Sequence, residues 1–528
     1  MLPSLSIQLS LFLPKHSQRL PAFRTFGLLD FWTSGLPDFR TFGLSDFRTF
    51  GLPDFRTSGL ISNLQSLISK MKSIYQKYKP HYRDNLYLAI PVVISQAGHT
   101  VVQISDAIVV GHFAGTVSLA AVSLAVNAFG TMLVIGIGIS YGITPLIAQH
   151  NGSGNFRECG KLLSNSLFIN LIAGIILFAI TLCVSVFLLG HLGQTPAVVQ
   201  KARPFLALLG LSLIPMLIFN TFKQFAEGLG FTKQAMNISI WGNIVNICVG
   251  IVLVKGMFGF KPMDVTGVGY STLIDRCLMA VVMGYYVLKS PRFKEYLKDF
   301  ALKNIDRLRC LKLFRIGGPV ALQYGFEVSA FNIAGILVGT IGYHEQAAHQ
   351  VALSMASLTY MMSSGISAAA AIKSGNYLGR KDYRKLRHSA ISNYHIVVLF
   401  MFFTAFIFTV FNHVLPWIYT SDKIVIGIAA QLLIIAAVFQ LFDGTQVVGL
   451  GVLRGMGDVN IPTVITFLAY WLIGLPIAYI LGLKLGFGVK GIWYGLVLGL
   501  AVSSLLLFFR FQFISKYHRD RSKLAGSI

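Results

Sequence analysis

Charge is scarce in this 528-residue chain, and negative charge is the scarcest. Asp and Glu number 20 against 44 Lys and Arg, and charged residues make up 12% of the sequence, about half the fraction usual in soluble domains. The five cysteines show no paired spacing and no Cys/His cluster, so we expect no zinc or haem and no other cofactor. A Walker A motif is absent, which argues against ATP-driven activity, and so is the HExxH motif of an intramembrane metalloenzyme.

Long apolar segments take the place of charge. Hydrophobic residues make up 54% of the chain and mean hydropathy is +0.67. Twelve apolar stretches lie between residues 87 and 515, each near the roughly 20 residues that cross a bilayer as a helix. Backbone polar groups must be satisfied internally in lipid, which favours helices over open sheets. The composition therefore predicts an all-α multi-pass membrane protein with twelve transmembrane helices.

The net charge of +24 would suggest nucleic-acid binding in a soluble protein. Here the basic residues concentrate in alternate connectors, near 157–161, 233, 290–312, 380–387 and 516–523, and are sparse in the others. This pattern is typical of membrane topology, because positive loops stay inside. We expect a bilayer and no nucleic acid as partner, a bacterial inner (plasma) membrane location, and both termini in the cytoplasm.

The first 70 residues form a separate segment. Phenylalanine recurs every eighth residue from Phe23 to Phe55, and glycine does so from Gly27 to Gly59. Glycine and proline in nearly every unit oppose a stable helix, so we expect disorder over residues 1–70. Met71 precedes a basic lead into the first span, and our hypothesis is that the upstream repeat is not translated. N-terminal sequencing of the native product would test it, since a mature chain beginning near Met1 would refute the idea.

The rest of the chain repeats itself at an offset of 227 residues. Residues 138–140 (Gly-Ile-Ser) match residues 365–367, Gly152 matches Gly379, and Gly228-Leu229-Gly230 matches Gly455-Met456-Gly457. Many secondary transporters are duplicated helix bundles with a binding site where the halves meet. The repeat predicts two pseudo-symmetric six-helix lobes: an N-lobe at 71–289, a cytoplasmic linker at 290–312, a C-lobe at 313–515 and a cytoplasmic tail at 516–528.

Three carboxylates fall well inside the predicted spans: Asp106, Glu327 and Asp443. A carboxylate at the centre of a bilayer costs about 2.5–3.5 kcal/mol on insertion scales, so its presence needs a reason. Glu327 and Asp443 have no basic residue within a helical turn to neutralise them. All three are candidates for a cation or proton site, although neighbouring hydroxyl groups could also hold a carboxylate for packing alone.

Other polar residues in the spans favour structural interpretations. Asn246 could be a sodium ligand or a hydrogen-bonding group between helices. We interpret Asp275 and the adjacent Arg276 as structural, and Glu227 as a solvated helix end. Arg454 and Asp458 are four residues apart, the spacing of a salt bridge on one helical face.

Several stretches, taken together and in order, resemble the multidrug and toxic-compound extrusion (MATE) family, and its NorM-like branch most closely. They are AIPVVISQAGHTVVQISDAIVVGHFAG, SLAAVSLA, LIAQHNGSGN, FEVSAFNIAGILVGTIG, AAHQVALS and VLRGMGD, and the resemblance covers about residues 87–515. It implies two six-helix lobes around a central cleft that switches between inward- and outward-facing states. It also implies export of organic cations in exchange for sodium or protons.

The resemblance extends to single positions. Asp106 matches an acidic residue of the N-lobe's first helix, and Asn246 matches an asparagine of the fifth. Glu327 and Asp443 match paired C-lobe carboxylates that bind the coupling cation, Na⁺ or H⁺. The family often has an acidic or amide residue four positions after Asn246, where this chain has Gly250. That departure shifts our expected ion site to Glu327 and Asp443.

These residues and motifs lead to one expected function and three alternatives. We expect a monomeric, cation-coupled antiporter that exports small organic cations. A lipid-linked oligosaccharide flippase or polysaccharide exporter of the same superfamily would line its cavity with several arginines, and few arginines lie in these spans. A channel or an intramembrane enzyme is a different class. The carboxylates are not duplicated with the scaffold, so the two lobes should divide the work between them.

Overall fold

The computed structural model describes residues 57–191, 195–303 and 305–525. Within this part of the chain, twelve helices are long and apolar enough to cross a membrane, which confirms the predicted all-α fold. We number them as spans 1 to 12: Gln76–Phe113, Thr116–Gly152, Phe156–His191, Pro196–Gly228, Thr232–Lys255, Asp264–Lys289, Arg307–Gly339, Tyr343–Gly379, Tyr383–Val410, Lys423–Gly455, Asn460–Lys484 and Gly488–His518.

The segment before span 1 differs in part from expectation. Residues 1–56, where we expected disorder, lie outside the described residues. Residues 57–70, which we grouped with the repeat, are helical: they belong to a long helix, Thr57–Phe113, whose apolar part is span 1. The last glycine of the repeat is Gly59, and residues 60–79 contain neither glycine nor proline to interrupt a helix.

The linker between the lobes packs on the N-lobe through an aromatic anchor. It contains one short 3₁₀ turn, Pro291–Phe293, and span 7 already begins at Arg307, inside the predicted range of 290–312. Phe293 is fully buried against the rings of Phe225, Phe231 and Tyr286. The Ala301 amide donates to Ser164 Oγ (3.1 Å), which holds the following residues to span 3.

Two spans of the N-lobe are broken where their C-lobe counterparts are continuous. Span 2 consists of Thr116–Ser140 and Ile143–Gly152, and span 4 of Pro196–Leu211 and Leu213–Gly228. Pro145 and Pro215 lack the N–H that would bond the carbonyl four residues earlier. Each break therefore lies at the residue whose carbonyl loses that bond, Tyr141 in span 2 and Leu211 in span 4. The repeat-related residues are Ile372 and Phe442, and spans 8 and 10 run unbroken.

The repeat produces the same helix end in each half. After spans 4 and 10, Gly230 and Gly457 have φ of 91° and 82°, a conformation that favours glycine. The following amide of each closes back on the helix, from Phe231 to the Ala226 carbonyl and from Asp458 to the Leu453 carbonyl. The duplicated Gly-x-Gly is therefore a helix stop.

Four hydrophobic cores show how the lobes meet. One is built only from N-lobe residues, such as Val110 and Phe205, and another only from C-lobe residues, such as Ala334 and Trp493. The other two are mixed: Leu313, Ile316 and Val320 of span 7 join an N-lobe core, and Leu88 and Ala89 of span 1 join a C-lobe core. The first half of each of spans 1 and 7 therefore packs on the opposite lobe.

Close inter-lobe contacts define what we call the closed end, the end that holds Gly152 and Gly379. A Cβ on Gly152 would lie 2.1 Å from the Asn376 carbonyl oxygen, and one on Gly379 would lie 2.0 Å from that of Gln149. The repeat relates these two contacts to each other, because Gly152 corresponds to Gly379 and Gln149 corresponds to Asn376. Gln149 also donates to the Gly455 carbonyl (3.0 Å), so the ends of spans 2, 8 and 10 are locked together.

Candidate functional site

A cavity of about 360 Å³ lies between the lobes, toward the C-lobe. Spans 1, 2, 7, 8 and 10 form its wall, and the cavity is mainly apolar and aromatic with a few polar groups, as binding sites for small molecules usually are. Its lining residues are Gln96, Val134, Ile137, Tyr141, Tyr324, Glu327, Val328, Phe331, Asn332, Leu353, Ala356, Ser357, Tyr360, Ser364, Phe439 and Asp443.

Glu327 and Asp443 face this one cavity from spans 7 and 10. Their exposed fractions are 6% and 3%. Among the described residues, neither carboxylate has a lysine or arginine nitrogen within 4.0 Å. Two carboxylates in electrostatic contact, without a basic partner, are costly to bury unless a cation or a proton neutralises them.

Gln96 connects the cavity wall across the lobes. Its Nε2 lies 3.5 Å from both the Tyr141 hydroxyl of span 2 and the Ser364 Oγ of span 8. One helical turn further along span 1, Thr100 Oγ1 lies 3.4 Å from Met361 Sδ of span 8. Span 1 therefore contacts both lobes at the level of the cavity.

The other two predicted residues, Asp106 and Asn246, do not line this cavity. Asp106 lies within electrostatic reach of Asp275 and Arg276 of span 6. The Arg276 guanidinium lies 5.3 Å from the Phe129 ring centre and donates to Ser212 Oγ (2.7 Å), at the break in span 4. The N-lobe acids thus have the charge of Arg276 within electrostatic reach, although its nitrogens form no ion pair with them within 4.0 Å among the described residues.

Asn246 is also buried in the N-lobe. Its Nδ2 donates to Thr272 Oγ1 (3.4 Å), and its Oδ1 has no hydrogen-bond partner among the described residues. Gly250, one turn further along span 5, faces Ser271, whose Oγ would lie 3.3 Å from an added Cβ. Sequence reasoning grouped four residues, and the structure divides them into a C-lobe pair in the cavity and an N-lobe pair beside Arg276.

Glu227 is not the solvated helix end that we expected. It is 2% exposed, and its Oε1 lies 4.0 Å from Nζ of Lys223, which is itself buried and donates to Ser95 Oγ (3.1 Å). Spans 2, 4 and 8 pack together at the closed end and bury the last turn of span 4, which the sequence alone places next to a connector. Lys223 and Glu227 are four residues apart, a spacing that could have indicated the pair.

The expected bridge between Arg454 and Asp458 is wrong as well. Span 10 ends at Gly455 and the chain turns at Gly457, so the two side chains do not share a helical face. Asp458 instead accepts from Arg510 Nε (2.8 Å). The Arg454 guanidinium lies against two rings of the cavity wall, 5.0 Å from the centre of Tyr141 and 5.7 Å from that of Tyr324.

Comparison with known proteins gives one consistent family. The MatE family model matches the chain twice, at residues 91–252 and 319–480. The multidrug resistance protein NorM of Photobacterium profundum is 32% identical over 85% of this chain and 99% of its own length. The MdtK multidrug resistance protein of Yersinia pseudotuberculosis is 31% identical over 84% of this chain and 97% of its own length.

Solved structures agree on the fold. A eukaryotic MATE transporter, AtDTX14, superposes with a TM-score of 0.77 at 20% identity, covering 84% of this chain and 99% of that one. An outward-facing MATE transporter gives a TM-score of 0.73 at 18% identity, covering 83% and 97%. From the two matched halves and the full-length relatives, we conclude that this chain belongs to the MATE family of multidrug efflux transporters.

Proposed function

We propose that this protein exports small organic cations in exchange for Na⁺ or H⁺, by alternating access to the cavity between its lobes. The single observation that carries the proposal is the placement in one cavity of Glu327 and Asp443, two buried carboxylates with no lysine or arginine nitrogen of the described residues within 4.0 Å. Either coupling ion would neutralise them, and an organic cation would compete for the same negative site.

The cavity walls are suited to both kinds of cation. Na⁺ is a hard cation that prefers oxygen ligands, and the Asn332 amide and Tyr360 hydroxyl line the cavity with the two carboxylates. A flat organic cation would find the rings of Phe331 and Phe439 for cation–π contacts. Antiport then requires that one state of the transporter prefer the ion and the other the substrate.

The closed end is the cytoplasmic end in this proposal. Basic residues concentrate in the connectors there, between spans 2 and 3, spans 8 and 9, and in the linker, as the positive-inside rule requires. Both termini would then be cytoplasmic, and a bacterial inner membrane is the expected location because the NorM and MdtK relatives are bacterial. We propose a monomer, since one chain encloses the cavity.

Ethidium efflux from vesicles under imposed sodium and pH gradients tests the proposal. Glu327→Gln and Asp443→Asn should each reduce ion-coupled efflux by at least tenfold, because a neutral amide removes the charge that the ion balances. Asp106→Asn reports separately on the N-lobe, where Arg276 already neutralises part of the charge. Undiminished coupled efflux in both C-lobe variants would contradict the proposed site, and an antiporter differs from a channel in supporting counterflow.

A further inference from the structure

Two tyrosines from opposite lobes form the floor of the cavity toward the closed end. Tyr141 of span 2 and Tyr324 of span 7 both line the cavity, and their rings lie nearly parallel, with centres 6.0 Å apart and planes 30° apart. Behind them the lobes are in tight contact: a Cβ on Gly138 would lie 2.4 Å from Ala321 Cα, and one on Gly142 would lie 2.7 Å from the Leu313 carbonyl oxygen.

Arg454 lies against this floor, and its guanidinium is not in contact with a carboxylate. It is 7% exposed, its Nε has no hydrogen-bond partner among the described residues, and within that part of the chain no Asp or Glu oxygen lies within 4.0 Å of it. Its guanidinium is instead directed at the two tyrosine rings. A buried guanidinium without a carboxylate needs another source of negative potential, which the faces of aromatic rings supply.

The three side chains are divided between parts that move relative to each other in an alternating-access transporter. Tyr141 belongs to the N-lobe and stands at the break in span 2, where Pro145 leaves its carbonyl without the usual helical bond. Tyr324 and Arg454 belong to the C-lobe. Separation of the lobes at the closed end therefore takes Tyr141 away from Arg454 and uncovers its ring on the side of the opening.

We propose that the Tyr141 ring forms an inward-facing subsite for a flat organic cation, and that Arg454 covers this ring as a tethered cation while the closed end is shut. The subsite rests on the proposed function, because it takes the exported cation as its ligand. Arg454 then acts as a specificity residue: it competes with the substrate for the Tyr141 ring, and its charge lies within electrostatic reach of Glu327.

Ethidium transport into inside-out vesicles measures the KM at the inward face. Tyr141→Leu removes the ring and should raise this KM about tenfold, within the 2- to 30-fold range that a cation–π contact represents. Tyr141→Phe keeps the ring face and should stay within twofold of the wild type. Ethidium binding from the opposite side should not change in Tyr141→Leu, because Arg454 covers the ring when the closed end is shut.

Arg454 provides an independent test with the opposite sign. Arg454→Gln removes the tethered competitor and should lower the inward KM for ethidium several-fold, whereas Arg454→Lys keeps a cation and should lie close to the wild type. A merely structural role would move Tyr141→Leu and Arg454→Gln in the same direction. If size-exclusion chromatography shows that Tyr141→Leu does not fold, the comparison of Arg454→Gln with Arg454→Lys still tests the subsite.

The outcomes separate the subsite from the function on which it rests. If wild-type vesicles do not transport ethidium, the proposed function fails. If they do, the subsite is overturned by an inward KM that Tyr141→Leu leaves unchanged, by equal effects of Leu and Phe at position 141, or by an increase in KM in Arg454→Gln.

Discussion

Substituting Gly379 by alanine should force the closed end open. The added Cβ would lie 2.0 Å from the Gln149 carbonyl oxygen, 1.4 Å short of the 3.4 Å at which ordinary contact begins. Both atoms are fixed by helical backbone, so the spans must separate. Overpacking of this kind costs about 1–3 kcal/mol, and the open conformation is free of it. The equilibrium should therefore shift about 5- to 150-fold toward the conformation that is open at this end.

Gly152→Ala makes the same test from the other lobe, where the contact with the Asn376 oxygen is 2.1 Å. The two contacts lie side by side across one interface, so relieving one partly relieves the other. The double variant should therefore shift the equilibrium by less than the sum of the single effects. Additive effects would indicate that the two glycines do not share a single opening motion.

Distances between spin labels at Ser153 and Arg384 would measure the shift. Both residues are exposed at the closed end and lie a few positions after the contacting glycines, Ser153 after Gly152 and Arg384 after Gly379. The matched control is Gly130→Ala in span 2, where an added Cβ meets nothing within 4 Å and only helix propensity changes. The reasoning is refuted if Gly152→Ala and Gly379→Ala leave the distance distribution unchanged, or if Gly130→Ala changes it equally.

Three further predictions concern single residues. Lys381 has φ of 58° where the repeat-related residue of the first half is Gly154 (φ 76°), so Lys381→Gly should stabilise the protein by up to about 1 kcal/mol; a lower thermal midpoint would contradict this. Burial alone would raise the pKa of Asp382, but the Lys385 amide and the charges of Lys385 and Arg380 hold that pKa below its ordinary value. Its contribution should therefore be present at neutral pH and lost as the pH falls through the lowered pKa, below about 4; Asp382→Ala should cost about 1 kcal/mol at pH 7, and this cost should shrink as the pH falls through the lowered pKa, as measured by thermal unfolding. Pro145→Ala restores the N–H that can bond the Tyr141 carbonyl, and should straighten span 2 and slow transport without changing the ethidium affinity of the purified protein; unchanged transport would show that the break is not used.

The sequence predicts the scaffold well because the bilayer restricts the possibilities. A stretch of apolar residues long enough to span lipid has to be a helix, and the repeat divides twelve of them into two lobes. Pro145 and Pro215, absent from the second half, also carry the information for the broken spans. The repeated Gly-x-Gly indicates that the helix ends at Gly455. Because the helix ends there, Arg454 and Asp458 do not share a helical face and do not pair.

Side-chain partnerships between spans were not predictable in the same way. Glu327 and Asp443 are 116 positions apart, and no local rule states that they share a cavity. Glu227 looks solvated from its position beside a connector, but it is 2% exposed and lies beside the buried Lys223. Arg276 changes the character of the N-lobe acids because span 6 brings it to Asp106, 170 positions away, which the spacing of charges along one helix does not show.

The exchange of half-helices between the lobes also affects how the protein is made. Asn85, fully buried in the first half of span 1, exchanges hydrogen bonds with Ser389 and Ser392 of span 9. At about 5–20 residues per second, the ribosome finishes span 9 some 15–60 s after span 1. During that interval the Asn85 amide lacks its native partners on span 9. Membrane insertion of span 1 and its final packing are therefore separate events, and a chain that ends after span 6 would leave this amide without those partners.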